Sequence, residues 1–456
     1  MHRIAISGLV ALAAVLGGVA VPATATAQPT TSVARSTTVV ARSTTAVARP
    51  TAAVRAGSVI AMRATKALAA GGVLLGGEPL ISCVLSTDCL GAEGSSSQGG
   101  SGTTPTRVAR WNGVSWKGVG VTLPKGTRSD DLLGASCKGA KSCLVVGDYY
   151  TSTSDSAPSH ALALFYNGTS LKPTPAVPLP KGVTNVALTS VSCATTRYCV
   201  ALGQAEGITA GFGGSGSLVI IETWNGAKWT LHAVTVATGK TTAVEPTVVS
   251  CAASAFCVLA GEEITVTANS GSVTPYAASW NGKKLVAMRP ATVGAKTDFP
   301  IVTGVSCATA SNCALTGGDM GDLTSTTTSV TAFTETWNGK AWQLAKVTWP
   351  KGTALSDTLS VSCYAAHSCE AVGADGASTA DTAPFDAAAV SFNGTAGVLQ
   401  PVPAPPKGHS TAFADVSCLP WGSCVATGAT GTTTASSGAV MTGVWNGKAW
   451  KLDPGF

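Results

Sequence analysis

The fourteen cysteines are the residues whose spacing most directly suggests chemistry. They form seven pairs with five residues between the members of each pair, and no cysteine is left over. Thiols at this spacing could form disulfides, hold a metal ion or carry out redox reactions. Cys-x5-Cys is not a common zinc spacing, and the Cys-x-x-Cys of redox enzymes is absent. We therefore predict seven disulfides, formed in an oxidising compartment: Cys83–Cys89, Cys137–Cys143, Cys193–Cys199, Cys251–Cys257, Cys307–Cys313, Cys363–Cys369 and Cys418–Cys424.

Acidic residues recur shortly after the second cysteine in five of the seven pairs. They are Asp148, Glu206, Glu262, Glu263, Asp319, Asp322 and Asp375. If the fold brings them together, their carboxylates could bind a cation or accept hydrogen bonds from sugar hydroxyls; otherwise they are solvated loop charges. The best binding candidates are Asp148, the pair Glu262 and Glu263, and the pair Asp319 and Asp322. Trp349 and Trp421 lie outside the repeated motifs and could stack on a sugar ring.

Motifs of the common catalytic sites are missing. The sequence contains no His-Glu-x-x-His, no Gly-x-Ser-x-Gly and no P-loop, and its five histidines are scattered. Two carboxylates from different repeats could still form a glycosidase pair, because sequence alone does not give their separation. We predict no catalytic residues, no cofactor and no metal ion.

The N-terminal region has the composition of an export leader followed by a linker. Residues 1–27 contain an apolar segment and end in Ala25-Thr26-Ala27, which predicts a cleaved signal peptide rather than a membrane anchor. Residues 28–71 are rich in Thr, Ala and Arg, and we interpret them as a disordered basic tether. Seven of the 29 basic residues lie in residues 1–66, where no acidic residue occurs. That leaves 22 basic against 23 acidic residues in the remainder. We therefore expect a secreted monomer without a membrane span or nucleic-acid partner.

A second motif repeats out of phase with the cysteines. An aromatic residue followed by Asn-Gly occurs seven times, at Trp111, Tyr166, Trp224, Trp280, Trp337, Phe392 and Trp445, and four copies add a second tryptophan, at Trp116, Trp229, Trp342 and Trp450. Asn-Gly between apolar runs predicts a hairpin, and we expect a type I′ turn with positive φ at both residues. The first cysteines of successive pairs are 54 to 58 residues apart.

Each period divides into four short strands, a to d. Strand a ends at the first cysteine, strand b starts at the second, strand c ends at the aromatic residue, and strand d follows Asn-Gly. Seven such units over residues 72–456 predict an all-β, seven-bladed β-propeller of four-stranded antiparallel blades with one Cys-x5-Cys disulfide per blade. A β-solenoid and two packed sandwiches fit less well. Residues 72–76 could add a strand that closes the ring.

The combined pattern resembles a known kind of repeat. Ser-Cys-x5-Cys-x-Ala-x-Gly followed by Trp-Asn-Gly-x-x-Trp looks like the repeat of secreted actinobacterial propeller proteins, over about residues 77–454. Its turn is similar to the Asp-box, or BNR, hairpin of sialidase-like propellers, with Asn in place of Asp. The resemblance implies a structural turn rather than a site. The arginines expected of a sialidase-like site show no repeating placement among Arg107, Arg110, Arg128, Arg197 and Arg289.

Strand alternation places the a–b and c–d connections on one face of the predicted ring and the b–c and d–a connections on the other. The second face carries the connections that vary in length and composition, although four d–a connections share Pro-Lys-Gly. Binding residues commonly lie on variable loops held by a rigid scaffold. We therefore predict a secreted, non-catalytic propeller that binds a glycan or another cell-envelope component on that face. A secreted sialidase-like glycoside hydrolase and a structural surface protein without a small ligand are the alternatives.

Overall fold

The computed structural model describes residues 79–456, apart from residues 99–101, 153, 155–156, 184, 206–215, 239–241, 267–270, 292, 294–297, 323–328, 380–382 and 433–437. The predicted signal peptide, the predicted tether and residues 72–76 lie outside the described residues. Within them, seven sheets each contain four consecutive antiparallel strands, and the prediction of a seven-bladed propeller is confirmed. The described part contains no helix long and apolar enough to span a membrane.

The blades follow one another along the chain, each in the order a, b, c, d. Their strands are Leu80–Leu85, Asp88–Glu93, Arg107–Trp111 and Trp116–Gly118 in blade 1; Ser129–Gly139, Ser142–Tyr150, His160–Tyr166 and Ser170–Pro173 in blade 2; Val186–Thr195, Tyr198–Ala205, Gly216–Trp224 and Trp229–Ala237 in blade 3; Thr242–Ala253, Phe256–Val266, Gly271–Trp280 and Leu285–Ala287 in blade 4; Asp298–Thr309, Asn312–Asp322, Thr331–Trp337 and Trp342–Leu344 in blade 5; Leu355–Ala365, Ser368–Gly376, Asp386–Asn393 and Ala396–Leu399 in blade 6; His409–Cys418, Cys424–Thr432, Ala439–Trp445 and Trp450–Pro454 in blade 7. A hairpin of Ser96–Gln98 and Gly102–Thr104 extends blade 1, and Gly120–Val121 adds a parallel fifth strand to blade 2.

The a strands surround the central axis, and each contacts the a strands of both neighbouring blades, including blade 7 with blade 1. Strand a is an edge strand, so the backbone N–H groups on its free side need acceptors. The serine before each first cysteine supplies one: its Oγ accepts a hydrogen bond from the N–H of the equivalent cysteine in the next blade, at 2.8–2.9 Å. Cys83 N–H donates to Ser417 in this way. These seven bonds join each blade to the next around the whole ring, and no strand within residues 79–456 as described is shared between blades 1 and 7.

All seven predicted disulfides are present, one in each blade. The two cysteines of each pair stand opposite each other on strands a and b, with Cα atoms 3.9–4.0 Å apart. In such closely opposed antiparallel pairs, the two side chains lie side by side and their sulfur atoms are within bonding distance of each other. Seven disulfides are typical of a protein that folds in an extracellular or otherwise oxidising environment.

The Asn-Gly hairpins form as predicted, but the predicted type I′ geometry is wrong. Glycine has positive φ in all seven turns, whereas no asparagine does. In six blades the turn is a four-residue loop in which the asparagine Oδ1 accepts hydrogen bonds from the N–H groups two and three positions on, at 2.8–3.2 Å. Blade 6 differs, because Asn393 pairs directly with Ala396 across a two-residue turn. The asparagine side chain, rather than a left-handed backbone, therefore organises the turn.

A β-bulge in strand a explains the glycine that follows the second cysteine by four positions in five of the seven blades. The a–b register shifts by one residue in the middle of strand a in blades 2 to 7. The bulge moves a strand-a carbonyl against strand b: a Cβ on Gly261 would overlap the Glu245 carbonyl oxygen. Equivalent overlaps occur at Gly147, Gly317, Gly373 and Gly428, whereas a Cβ on Gly203 of blade 3 would meet the side chain of Ile220 instead. Blade 1, whose described strand a is short, has Glu93 there instead.

The hydrophobic core lies between blades rather than within them. The first aromatic residue of each repeat and the second tryptophans mostly pack into clusters shared by two neighbouring sheets. Trp229 of blade 3, for example, packs against blade 2, and its Nε1 donates to Thr174 Oγ1 at 2.9 Å. The repeated tryptophans therefore act as core residues, as the fixed position in each repeat predicts.

Candidate functional site

The connections between strands divide onto two faces of the ring. On one face, which we call the disulfide face, the c–d turn of a blade contacts the a–b loop of the same blade: Arg197 packs on Gly226, and Lys141 packs on Gly168. The b–c and d–a connections form the opposite face, which we call the variable face. Strand a starts and strand b ends at the variable face, so side chains at those ends surround its central opening.

Three carboxyl groups of blade 2 lie together at the variable face. Asp131 and Asp148 are directly opposite each other on strands a and b, and Asp130 precedes Asp131. Asp130 is buried and accepts a hydrogen bond from Thr106 Oγ1 of blade 1 at 2.6 Å. Burial, followed by the nearby charge of Asp131, raises the pKa of Asp148 to about 7. A substantial part of Asp148 is therefore protonated near neutral pH.

A second acidic cluster occupies blade 4. Glu245 and Glu262 are opposite each other on strands a and b, and Glu263 beside them is exposed. Burial raises the pKa of Glu262 to about 8 and that of Glu245 to about 7. Glu262 Oε1 accepts a hydrogen bond at 2.8 Å from the N–H of Val302 in blade 5, which ties the cluster to the next blade. Glu263 is the member of this cluster that is best placed to meet a ligand.

Blades 5 and 6 add further carboxyl groups to the same face. Asp319 is buried, and its Oδ1 accepts a hydrogen bond from the Gly321 N–H at 3.0 Å. Asp375 and Asp386 stand opposite each other on strands b and c, and burial together with Asp386 raises the pKa of Asp375 to about 6. The fold thus brings carboxylates of several blades to one face, as their position after strand b suggested.

The other candidates from the sequence have different surroundings. Trp349 lies in the d–a connection of blade 5 and is half-buried against the apolar cluster of blade 6, so only part of its ring is open. Trp421 is 61% exposed, but it lies in the a–b loop of blade 7 on the disulfide face. Glu206 and the side chain of Asp322 lie outside the part that the structure describes.

The Pro-Lys-Gly motifs place four exposed lysines on the variable face. In each, the residue after glycine donates its N–H to the proline carbonyl at 3.0–3.2 Å, and glycine has a φ between 81° and 93°. Proline, lysine and glycine therefore form the first three positions of a β-turn that exposes the lysine. The lysines are Lys125, Lys181, Lys351 and Lys407. The face thus offers both donors and acceptors to a ligand.

Sequence reasoning missed a pair of buried glutamates in strand c. Glu222 and Glu335 each lie two residues before the tryptophan of Trp-Asn-Gly and are fully buried. Glu335 Oε2 accepts a hydrogen bond from the Ala291 N–H at 2.6 Å, whereas neither oxygen of Glu222 has a hydrogen-bond partner. Burial raises the pKa of Glu222 to about 8 and that of Glu335 to about 7. Aligning the repeats would have revealed them as charged residues at an otherwise apolar position.

Among the described residues, no group of three or more histidine, cysteine or acidic side chains is arranged to hold a metal ion.

The architecture and the two faces define a seven-bladed β-propeller with one disulfide per blade. No protein-family model and no curated protein matches the chain. Solved propellers are similar: an ulvan lyase of the polysaccharide lyase family PL25, bound to -[GlcA(1-4)Rha3S]-, shares 8% identity over 84% of this chain and 95% of that chain, with a TM-score of 0.49. The propeller domain of the Trilobed protease from Pyrococcus furiosus shares 8% identity over 82% and 97%, with a TM-score of 0.41. Likenesses of this size say nothing about the activity of this chain.

Proposed function

We propose that the protein is a secreted, non-catalytic binding module that takes a glycan of the cell envelope on its variable face. The observation that carries this proposal is the collection of carboxyl groups from blades 2, 4, 5 and 6 at one opening, beside four exposed lysines. Carboxylates accept and ammonium groups donate hydrogen bonds, and a glycan presents hydroxyls that do both. The connections that carry these groups differ between blades, which suits recognition of an asymmetric ligand.

The mixture of charge states also favours a neutral or weakly charged ligand. Asp148, Glu245 and Glu262 have pKa values raised to about 7 or 8, so a substantial part of each is protonated near pH 7. A protonated carboxyl can donate as well as accept a hydrogen bond.

A glycan array probed with the wild-type protein and with the exposed-site variant Glu263→Gln/Asp131→Asn would test the proposal. We expect wild type to bind a defined set of glycans and the variant to lose binding by about tenfold, which corresponds to roughly 1.4 kcal/mol. Lys448→Gln, which changes an exposed charge in the c–d turn of blade 7 on the disulfide face, is the matched control and should bind like wild type. Equal binding by all three proteins would contradict a site on the variable face.

A glycoside hydrolase of the sialidase-like type is the second candidate, because opposed carboxyl groups occur in blades 2, 4 and 6. A panel of chromogenic glycosides would distinguish the two candidates. If wild type hydrolysed a glycoside and a correctly folded Asp148→Asn variant did not, the result would favour an enzyme over a binding module.

A further inference from the structure

The disulfide face carries a strong positive charge that the ligand site on the variable face does not use. In blades 2 to 5 the a–b loops, the c–d turns and the start of strand d expose eight basic side chains, which we call the basic arc. They are Lys138, Lys141, Lys172, Arg197, Lys228, Lys283, Lys284 and Lys340. All the residues of these loops and turns are described, and none of them is acidic. The basic arc therefore has no carboxylate on its own surface to neutralise it.

The fold places the acidic residues of blades 2 to 5 away from the disulfide face. The described acidic residues of blades 2 to 5 either lie at the variable face or, as Glu222 and Glu335, are buried between blades. The folded part has almost balanced charge, with 22 basic and 23 acidic residues after residue 66. A nearly neutral molecule thus presents one face with uncompensated cations, which concentrates its field on that side.

The repeat holds the basic groups in fixed places. Three lysines lie inside asparagine-capped c–d loops: Lys228 and Lys284 at the last position and Lys340 at the third. The backbone N–H of each donates to the asparagine Oδ1 at 2.9–3.0 Å. In the a–b loops, the stems of Lys141 and Arg197 pack on the turn glycines. Ordered stems reduce the side-chain entropy that each cation loses on binding an anion.

A groove opens within the basic arc, between blades 2 and 3. Its volume is about 270 Å³, and its walls include Phe165, Lys172, Pro173, Trp224 and Gly226. Thr174 at its base accepts a hydrogen bond from Trp229 Nε1, which fixes the groove wall to both blades. Lys172 projects from one wall, and the turn that bears Lys228 forms the other. The groove is large enough to seat one ring-sized unit of a polymer while neighbouring units meet the flanking cations.

We propose that the basic arc binds a linear anionic polysaccharide that carries carboxylate or sulfate groups. Cations spread over four neighbouring blades suit an extended chain better than a compact ligand. Nucleic acid is a poorer fit, because single strands are bound largely by stacking on exposed aromatic rings, and the arc exposes none. A membrane surface is also a poorer fit, because the a–b loops and c–d turns of blades 2 to 5 contain no exposed large hydrophobic side chain that could enter lipid. The exposed Val286 and Leu344 lie in strand d rather than in these loops and turns.

The test compares two variants that change net charge equally on opposite faces. Lys138→Gln/Lys228→Gln/Lys284→Gln/Lys340→Gln removes four cations from the arc. Lys125→Gln/Lys181→Gln/Lys351→Gln/Lys407→Gln removes four from the Pro-Lys-Gly turns of the variable face. Both are made in the full chain, so the arginines of residues 28–71 contribute equally to each. Thermal unfolding of both variants should match wild type, because all eight side chains are exposed.

Binding is measured to immobilised polygalacturonate and heparin, with dextran as the neutral reference, at low and high salt. We expect wild type and the variable-face variant to bind both acidic polymers, the arc variant to bind at least about tenfold more weakly, and high salt to weaken wild type strongly. Equal loss in both variants, or none in either, would overturn the proposal. The proposal would also be overturned if the arc bound duplex DNA or anionic vesicles more tightly than it bound the acidic polysaccharides. Salt-sensitive self-association that accounted for all of the arc-dependent binding would overturn it as well.

This inference is independent of the proposed function of the variable face. Loss of acidic-polymer binding in the arc variant with unchanged glycan-array binding supports it alone. Loss of array binding in Glu263→Gln/Asp131→Asn with unchanged heparin binding leaves it intact.

Discussion

At the scale of single residues, Glu222 is a side chain whose position is unfavourable for stability. It is fully buried between blades 2 and 3, neither of its oxygens has a hydrogen-bond partner among the described residues, and burial raises its pKa to about 8. A buried polar group without a partner loses hydration and gains little in return. The equivalent Glu335 of blade 5 differs only in accepting a hydrogen bond from Ala291.

This difference predicts opposite effects of one substitution in two blades. Glu222→Leu should stabilise the protein by about 1–3 kcal/mol at pH 8, because it replaces an unsatisfied carboxyl by an apolar side chain of similar size. Glu335→Leu should destabilise it by about 1–3 kcal/mol, because the Ala291 N–H loses its acceptor. Thermal unfolding of the two variants checks this. A lower melting temperature for Glu222→Leu would indicate a structural or functional role for its carboxyl group.

At the scale of secondary-structure elements, the bulge in strand a and the glycine opposite it form one unit. Gly261→Ala should destabilise the protein by about 3 kcal/mol, because the new Cβ would overlap the Glu245 carbonyl oxygen and the backbone would have to move. Gly118→Ala is the matched control, since a Cβ at Gly118 meets nothing within 4 Å. Chemical unfolding of both variants measures the difference. Equal stability would mean that the a–b pair tolerates a regular register.

The asparagine-capped turn makes a second prediction at this scale. Asn225→Asp should leave stability nearly unchanged, because a carboxylate accepts the same N–H groups of Ala227 and Lys228. Asn225→Ala should cost about 1 kcal/mol for the lost side-chain acceptor. Asn393→Ala in blade 6 is the control and should cost less, because that turn is formed by direct strand pairing. Melting temperatures of the three variants provide the measurement.

At the scale of the whole molecule, the buried carboxyl groups predict how stability depends on pH. Six of them, in five blades, have pKa values raised to about 7 or 8: Asp148, Glu222, Glu245, Glu262, Glu335 and Glu370. The unfolded chain ionises these groups near pH 4, so between about pH 4.5 and 8 the folded state retains protons that the unfolded state releases. The free energy of unfolding should therefore fall as pH rises through this window.

Calorimetry at pH 5 and pH 8 tests this prediction, and the melting temperature should be lower at pH 8. Glu222→Gln/Glu245→Gln should show a smaller difference between the two pH values, since amides do not titrate. A melting temperature that rises from pH 5 to pH 8 would contradict the raised pKa values.

The sequence predicted the blades, their disulfides and the two faces, but it gave the wrong turn type and missed several contacts between blades. Cysteine spacing and Asn-Gly predicted blades, disulfides and faces, because each depends on local pairing. The serine that precedes each first cysteine is visible in the repeat, but its hydrogen-bond partner in the next blade was not predicted. At six of the seven joints between blades, that partner is 55 to 59 residues away along the chain. The burial of Glu222 and Trp349 depends on packing between sheets, which a local sequence pattern does not reveal. The basic arc could have been found by sorting charges by face.

The ring of serine-to-cysteine hydrogen bonds has a consequence for connectivity. Every blade donates one such bond and accepts another, and the joint between blades 7 and 1 uses the same bond as the other six joints. In the part of the chain that the structure describes, no strand crosses that joint, and Phe456 reaches blade 1 to pack on Trp116. Chain order and ring closure are therefore separable. A circular permutant with its ends linked and the chain opened between blades 3 and 4 should still assemble the same toroid.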